Sequence, residues 1–276
     1  MSAQQPMTPP RILVIAGSDS SGGAGIQADI KTITMLGGYA MTAITAVTAQ
    51  NSTGVFAVEV LSPALVGAQI DACISDIGVD AVKIGMLGSP EIAKVVADRL
   101  QGIFVPIVFD PVMVATSGAA LAGAETIAAF EGLMALATLT TPNVAELAAL
   151  GGDAGMAARG VAYLAKGGDA DGDIIQDRLI VPGKEPVIWR APRIATRHTH
   201  GTGCTLSSAI ATLLGRHLPD PSDRRERDTG KMIEAITLAR EFTRAALVEA
   251  PGFGAGQGPL GHQAIKLKFL PVPGEE

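Results

Sequence analysis

The chain of 276 residues lacks the features that mark disulfide-rich, zinc-binding or nucleic-acid-binding proteins. Cysteine occurs only at Cys73 and Cys204, which is too few for a disulfide framework or a cysteine-ligated zinc site. Acidic residues outnumber basic ones: the chain has 27 Asp and Glu against 21 Lys and Arg, so the formal net charge is −6. A surface that binds duplex nucleic acid normally has a basic footprint. We therefore expect no nucleic-acid partner.

Long apolar runs are also absent. The nearest candidate, residues 126–139, contains Glu131 and is shorter than the roughly 18 residues that a membrane span requires. The N-terminus has neither the cationic start nor the apolar centre of a signal peptide. The chain does have 47% hydrophobic and only 17% charged residues, which excludes a disordered chain. We expect a cytoplasmic protein without a membrane partner.

Apolar segments of strand length alternate with segments of helical period, a pattern typical of a mostly parallel α/β sheet. An antiparallel pair is expected around Pro182 and Gly183, and no flexible linker divides the chain. We predict a disordered tail over residues 1–10 and a single domain over residues 11–270, folded as a three-layer α/β/α sandwich. The predicted strands are 11–17, 41–49, 79–86, 103–110, 138–141, 161–167, 173–181 and 186–190. The predicted helices are 24–36, 63–77, 90–100, 127–137, 143–150, 201–217 and 231–249.

The first candidate site is the glycine-rich loop of residues 17–25. A strand, a glycine-rich loop and a helix often hold an anion at the helix N-terminus. The spacing approaches that of a P-loop, but Gly23 and Ala24 stand where lysine and a hydroxyl residue are required. Residues 23–28 fit the dinucleotide fingerprint, but the acidic residue expected about 20 positions later is absent. The sequence favours a loop that covers a small substrate. The alternatives are a plain strand-to-helix turn and a nicotinamide or flavin site.

The second candidate site combines Asp110, Asn143 and Glu146. Asn143 and Glu146 have the spacing of a helix capping box, which stabilises a helix by about 1 kcal/mol and needs no further function. They also follow a predicted strand, and Asp110 ends another, at the edge where α/β sheets bind ligands. A pair of carboxylates there suits Mg²⁺. The spacing leaves capping and metal binding equally open.

The third candidate site is the segment of residues 199–205, which opens a long apolar helix. Gly201 and Gly203 allow backbone N–H groups to converge at the positive end of this helix as an anion hole. Cys204 lies in the first turn, where we expect a thiol pKa below the free value of about 8.5. The alternative for Cys204 is a small apolar residue in the core. Together, the three sites predict phosphoryl transfer without a P-loop.

Seven segments then occur in a recognisable order: AGSDSSGGAGIQADIKT, TAVTAQNSTGV, KIGML, DPVMVATSG, LTTPNVAEL, KGG and HGTGCTLSSAIA. Over residues 11 to 258 the sequence resembles the hydroxymethylpyrimidine/phosphomethylpyrimidine kinases of thiamine biosynthesis, in the ribokinase-like superfamily. The resemblance implies a ribokinase-like α/β/α fold with a central, mostly parallel sheet. It also implies ATP- and Mg²⁺-dependent phosphorylation of 4-amino-5-hydroxymethyl-2-methylpyrimidine to its monophosphate and then to the diphosphate.

The resemblance implies roles on the substrate side of the site. Gln50 reads the aminopyrimidine with one acceptor and one donor, as glutamine reads adenine. Gly17, Ala24 and Met86 line the pocket. Cys204 is the base that accepts the proton of the 5-hydroxymethyl group as this group attacks the γ-phosphate.

On the phosphate side, the resemblance implies an anion hole, a Mg²⁺ site and a nucleotide-binding segment. A solvent-exposed side chain is the alternative for the lysine of this set. The hole is formed by Gly201, Thr202 and Gly203, Mg²⁺ is bound by Asp110 and Glu146, and the nucleotide and phosphate waters contact Asn143, Glu146 and Lys166.

Three positions depart from the family pattern, and they concern nucleotide contacts and loop closure. Thr116 stands where many relatives have lysine, Gln257 replaces a usual histidine, and the segment KGGDADGD lacks the usual histidine. Other functions remain as alternatives: a pyridoxal or pyridoxine kinase, which Gln50 disfavours, and a non-catalytic pyrimidine-binding protein, which would not need Cys204. By analogy with the superfamily, we expect a homodimer.

Overall fold

Nine strands form one sheet in the part of the chain that a computed structural model describes, which is residues 8–114, 118, 121–216 and 228–265. The strand order is β3-β2-β1-β4-β5-β6-β7-β8-β9. From β2 to β7 in this order, each pair of neighbouring strands is parallel. The outer pairs are antiparallel: β3 with β2, β8 with β7, and β9 with β8. The strands are β1 (Arg11–Asp19), β2 (Tyr39–Asn51), β3 (Gly54–Val60), β4 (Ala81–Ile84), β5 (Ile107–Phe109), β6 (Leu139–Thr140), β7 (Tyr163–Ala165), β8 (Ile174–Ile180) and β9 (Val187–Pro192).

Helices cover both faces of this sheet. They are α1 (Gly25–Met35), α2 (Pro63–Ala72), α3 (Pro90–Leu100), α4 (Ala124–Leu136), α5 (Val144–Ala149), α6 (Gly152–Arg159), α7 (Thr202–Arg216) and α8 (Thr229–Val248). None of the helices within the described ranges is long and apolar enough to cross a membrane.

Strand β1 shows how the three layers arise from sequence. Its residues are almost all apolar and buried, and alternate side chains point to opposite faces. Ile12 and Val14 join the cluster that contains side chains of α1, α7 and α8. Leu13 and Ile15 join the cluster that contains side chains of α2, α3 and α4. The predicted three-layer α/β/α sandwich is therefore confirmed.

Several element boundaries differ from the sequence prediction. Strand β3 and helix α6 are absent from the predicted elements, because β3 is an edge strand whose side chains are mostly exposed and α6 has only eight residues. Strand β5 is much shorter than predicted, and a π-helical turn at Cys73–Ile77 continues α2. Residues 1–7 of the predicted tail and 266–270 of the predicted domain lie outside the described residues.

Candidate active site

Parallel strands deliver the predicted site residues to one edge of the sheet. Each of these strands is followed in the chain by part of the site. The glycine-rich loop continues from β1, and the residues that follow β4, β5, β6 and β7 are Met86, Asp110, Asn143 and Lys166, respectively. Because the carboxyl ends of parallel strands meet at the same edge, these side chains converge. A cavity of about 760 Å³ lies there, and all the residues predicted for the site line it.

The glycine-rich loop is held by the carboxylate of Asp19. Asp19 Oδ1 accepts hydrogen bonds from the N–H and the hydroxyl of Ser21, both at 2.8 Å. Oδ2 accepts from the N–H groups of Gly23 at 3.1 Å and Ala24 at 2.8 Å. Burial opposes ionisation, but the donors, with His200 first, lower the pKa of Asp19 below its usual value. A buried carboxylate thus holds the shape of the loop through four hydrogen bonds.

One side of the cavity contains Gly17, Met86 and Gln50, the residues for which the resemblance implies contact with the pyrimidine. A Cβ at position 17 would collide with the terminal methyl group of Met86, so glycine allows this side chain to pack against the backbone of the loop. The Thr45 hydroxyl donates to the Met86 carbonyl at 2.7 Å. The Gln50 backbone is held at both ends by Ser20, whose hydroxyl accepts from the Gln50 N–H and donates to its carbonyl, each at 2.8 Å.

Asn143 and Glu146 form the capping box of α5. Asn143 Oδ1 accepts from the Glu146 N–H at 2.9 Å, and Glu146 Oε2 accepts from the Asn143 N–H at 2.8 Å. The capping interpretation is therefore confirmed. Glu146 is nevertheless buried and lines the cavity. Burial first, and then the charge of Asp110, raises the pKa of Glu146 to about 7.

Lys166 joins the two carboxylates of the second site. Its Nζ lies 2.7 Å from Asp110 Oδ1 and 3.9 Å from Glu146 Oε2. Burial opposes the charged form, but these carboxylates raise the pKa of Lys166 to about 12. The same pairing lowers the pKa of Asp110 against its own burial. Since its side chain is only 13% exposed, the solvent-facing alternative for Lys166 is wrong.

Asp110 and Glu146 fit a magnesium ion whose remaining ligands are phosphate oxygens and water. Among the residues that the structure describes, no group of three or more His, Cys, Asp or Glu side chains could hold a metal ion. Mg²⁺, however, is commonly held by one or two carboxylates, with phosphate oxygens and water completing its coordination. Two buried carboxylates at the ligand-binding edge of the sheet match this donor set.

The loop before α7 packs directly on the glycine-rich loop. Gly201 has φ +89° and a Cβ there would collide with the Gly23 carbonyl, so only glycine fits. The Thr202 N–H donates to the Thr199 carbonyl at 3.2 Å. The Thr205 N–H donates to the Gly201 carbonyl at 2.9 Å. The N–H groups of Gly203 and Cys204 have no partner within the helix and are suited to an anion.

Cys204 is partly buried in this first turn, and its electrostatic environment differs from the prediction. Burial raises the pKa of the Cys204 thiol to about 11, although the positive charge of Lys83 and the Gly25 N–H act in the opposite direction. The expectation of a lowered pKa is therefore wrong. Burial, together with the negative charges of Asp29 and Asp110, outweighs these two effects.

Lys83 and His200 are polar residues of this site that were not predicted from the sequence. Lys83 is completely buried, and its Nζ lies 3.0 and 2.9 Å from the carboxylate oxygens of Asp29. His200 is also buried, with Nε2 2.8 Å from Asp19 Oδ2 and 3.1 Å from the side-chain amide of Gln50. A lysine within the apolar strand β4 and a histidine next to Gly201 were the available signals.

Of the positions that depart from the family pattern, Gln257 lines the cavity, and Thr116 lies outside the described residues.

Comparisons with known proteins identify relatives over most of the chain. The family model described as phosphomethylpyrimidine kinase matches residues 19–261. The hydroxymethylpyrimidine/phosphomethylpyrimidine kinase of Rhizobium meliloti is 45% identical over 91% of this chain and 96% of the relative. The enzyme of the same name from Streptomyces coelicolor is 42% identical over 93% of this chain and 96% of the relative.

Solved structures show the same fold. Pyridoxal kinase of Bacillus subtilis, in an ADP complex, superposes with a TM-score of 0.80 at 32% identity, covering 93% of this chain and 98% of that one. Phosphomethylpyrimidine kinase of Clostridium difficile superposes with a TM-score of 0.67 at 36% identity, covering 85% and 98%. The predicted ribokinase-like fold is confirmed, and the chain belongs to the phosphomethylpyrimidine kinase family.

Proposed function

We propose that this protein transfers the γ-phosphoryl group of ATP to the 5-hydroxymethyl group of 4-amino-5-hydroxymethyl-2-methylpyrimidine, and then phosphorylates the monophosphate, in thiamine biosynthesis. The observation that carries the proposal is the convergence of Gln50, Cys204 and the pair Asp110–Glu146 on one cavity. This reaction requires a side chain that recognises the base, a group that accepts the hydroxyl proton, and acidic side chains beside the phosphates.

The acceptor is held on the pyrimidine side of the cavity. The Gln50 side chain accepts a hydrogen bond from the exocyclic amine and donates one to the adjacent ring nitrogen. Gly17, Ala24 and Met86 provide a small, apolar surface for the ring. This arrangement directs the hydroxymethyl group towards the start of α7.

Phosphoryl transfer proceeds in line at the start of α7. The hydroxymethyl oxygen forms the new bond to the γ-phosphorus as the bond to the β-phosphate oxygen breaks, and the hydroxyl proton passes to the sulfur of Cys204. Gly201, Thr202 and Gly203 shape the hole that stabilises the charge on the transferred group. The buried cation of Lys83 favours the thiolate form of Cys204.

The phosphates of ATP are bound at the acidic edge. Asp110 and Glu146 would hold Mg²⁺, which supplies neutralisation of phosphate charge when bound. Lys166, already between the two carboxylates, adds a cation at the same place. Asn143 orients Glu146 through the reciprocal cap bonds.

A pyridoxal kinase is the second candidate function, because pyridoxal kinases are among the similar solved structures and one superposes with a TM-score of 0.80. ADP release with Mg-ATP and three acceptors separates the candidates. Turnover of the hydroxymethylpyrimidine and its monophosphate, with pyridoxal much slower, supports the proposal. Turnover of pyridoxal alone contradicts it, and turnover of none of the three favours a non-catalytic binding protein.

We also infer a homodimeric, cytoplasmic enzyme with one domain over residues 11–270 and a tail over residues 1–10. The edge hairpin of β2 and β3 supports the dimer. It exposes apolar side chains, including Phe56 at 69%, Val47 at 46% and Val58 at 43%. A second copy of the chain would cover this surface, since uncovered apolar edge strands favour aggregation.

A further inference from the structure

We propose that Asp19 and His200 fix the orientation of the Gln50 side-chain amide and thereby select the aminopyrimidine edge of the substrate. His200 is a positioning residue for specificity, and this inference rests on the role proposed above for Gln50. Neither Asp19 nor His200 has another function in the proposed mechanism. Both side chains are almost completely buried at the edge of the cavity.

The first step is the position of the proton on His200. Its Nε2 lies 2.8 Å from Asp19 Oδ2. The Asp19 carboxylate already accepts hydrogen bonds from Ser21, Gly23 and Ala24, so it acts as an acceptor. Two acceptors cannot form a hydrogen bond at this distance, so Nε2 of His200 must carry a proton and donate it. This holds whether the imidazole ring is neutral or charged.

The second step is the orientation of the Gln50 amide. The structure places the amide nitrogen 3.1 Å from His200 Nε2. Both atoms would then be donors, which cannot bond. Because the two ends of an amide have nearly the same shape, the hydrogen-bond partners decide which end faces His200. The carbonyl oxygen of Gln50 therefore belongs on the His200 side, where it shares the single Nε2 proton with the nearer Asp19 Oδ2 in a three-centre hydrogen bond.

Thr48 supports the same orientation independently. Its hydroxyl proton is donated to the Ser18 carbonyl at 3.0 Å, so its oxygen has only lone pairs left. The other end of the Gln50 amide lies 3.5 Å from this oxygen. An amino group satisfies that contact better than a second oxygen would. Two neighbours on opposite sides thus require the same rotation of the amide.

The third step connects this orientation to substrate choice. The Gln50 oxygen has two lone pairs, so it can accept from His200 and from the exocyclic amine of the pyrimidine at once. The amino group can donate to the ring nitrogen. A 4-oxo pyrimidine presents the opposite pattern, a carbonyl beside a ring N–H. Its recognition would need the reversed amide, with an N–H directed at the N–H of His200.

The test compares two substrates in each of several variants. The substrates are 4-amino-5-hydroxymethyl-2-methylpyrimidine and its 4-oxo counterpart, and the measured quantity is the ratio of their kcat/KM values. This ratio does not depend on the fraction of folded enzyme. His200→Phe keeps a ring against Gly23 but has no donor, and His200→Gln restores donors to Asp19 and Gln50.

We expect His200→Phe to lower the amino/oxo ratio about tenfold or more, the range of one bidentate contact to a base. His200→Gln should return the ratio to within about threefold of the original value. An unchanged ratio in His200→Phe, or an equal loss of kcat for both substrates, would overturn the positioning role.

Gln50→Ala separates this failure from failure of the proposed function. If Gln50→Ala abolishes the discrimination while His200→Phe preserves it, the amide reads the substrate without help from His200, and only this inference is wrong. If Gln50→Ala also preserves the discrimination, the proposed role of Gln50 is wrong, and the inference fails with it.

Discussion

Lys83 and Asp29 form an ion pair in which neither side chain is exposed to solvent. Burial alone would lower the pKa of Lys83, but the Asp29 carboxylate raises it above its ordinary value, so the lysine is charged. Ser208 donates a further hydrogen bond to Asp29 at 2.6 Å. The cluster joins α1, β4 and α7 at the wall of the cavity. It therefore connects the stability of the fold to the electrostatic environment of Cys204.

Lys83→Met should destabilise the protein by about 3–5 kcal/mol, because it leaves the Asp29 carboxylate buried without its cation. Burial raises the pKa of Asp29 and the charge of Lys83 lowers it, so without Lys83 the folded variant holds more firmly a proton that the unfolded chain releases. The loss should therefore be larger at pH 8 than at pH 5. Urea unfolding at both pH values measures this difference.

The double variant Lys83→Met, Asp29→Leu is the control for this prediction. Removing both charges should recover most of the lost stability. If kcat recovers as well, the pair has a structural role only. If stability recovers and kcat does not, the cation contributes to the chemistry at Cys204. Full stability in the single variant would contradict the prediction.

Gln50→Ala should raise KM for the hydroxymethylpyrimidine about tenfold or more, because two hydrogen bonds to the base are lost. KM for ATP should stay within about twofold, since the proposed contacts of Gln50 are with the pyrimidine alone. Initial rates with either substrate varied give both constants. Gln50→Glu is the size-matched control, as it keeps an acceptor but loses the donor. Equal changes in both KM values would argue against base recognition.

The sequence was sufficient to predict the three-layer fold and the convergence of the candidate site residues at one edge of the sheet. Alternating apolar segments identified the parallel strands, and such strands end at one edge of a sheet. Every site residue proposed from the motifs lines the cavity there. The edge strand β3 was missed because its side chains are mostly exposed and no buried face reveals its period.

The contacts between distant residues could not be predicted in this way. Asp19 and His200 are 181 positions apart, and Lys83 and Asp29 are 54 apart, so no local spacing indicates either pair. The pKa of Cys204 was predicted in the wrong direction for a related reason. A helix N-terminus is visible in the sequence, whereas the desolvation of a side chain depends on the packing of the whole fold.

Glu146→Gln separates helix capping from metal binding. Glutamine can preserve the reciprocal bonds with Asn143, so the melting temperature should change little. The Mg²⁺ concentration for half-maximal activity should rise about tenfold or more, because a charged ligand is lost. Glu146→Ala should show the same metal effect and lose about 1 kcal/mol of stability. An unchanged Mg²⁺ requirement in Glu146→Gln would leave capping as the only role.

Phe56→Asp should convert the proposed dimer into monomers, because Phe56 is 69% exposed on the edge strand β3. Light scattering after gel filtration should show the mass falling from two chains to one. Val248→Asp is the control, as Val248 is 67% exposed at the end of α8. Dissociation by Val248→Asp alone, or a monomeric unmodified protein, would contradict an interface on β3.

Cys204→Ala should lower kcat by about 10²- to 10⁴-fold, the contribution of one general base, with the fold intact. Cys204→Ser is the matched control, because it keeps a similar shape but its hydroxyl ionises far less readily than a thiol. A rate for Cys204→Ala equal to that of the unmodified enzyme would exclude Cys204 as the base. Equal circular dichroism spectra and melting temperatures would exclude misfolding as the cause of a lower rate.

The pH dependence of the rate tests the same assignment without a substitution. Burial raises the pKa of Cys204 to about 11, so the thiol is protonated at pH 7 and the thiolate is a small fraction. Each unit of pH below that pKa reduces the thiolate about tenfold. If the thiolate accepts the hydroxyl proton, kcat/KM should rise with pH between 7 and 9 with a slope near one on a logarithmic plot. Cys204→Ala should lose this slope and retain a low, flat rate. A flat profile in the unmodified enzyme would mean that the hydroxyl proton leaves by a route other than Cys204.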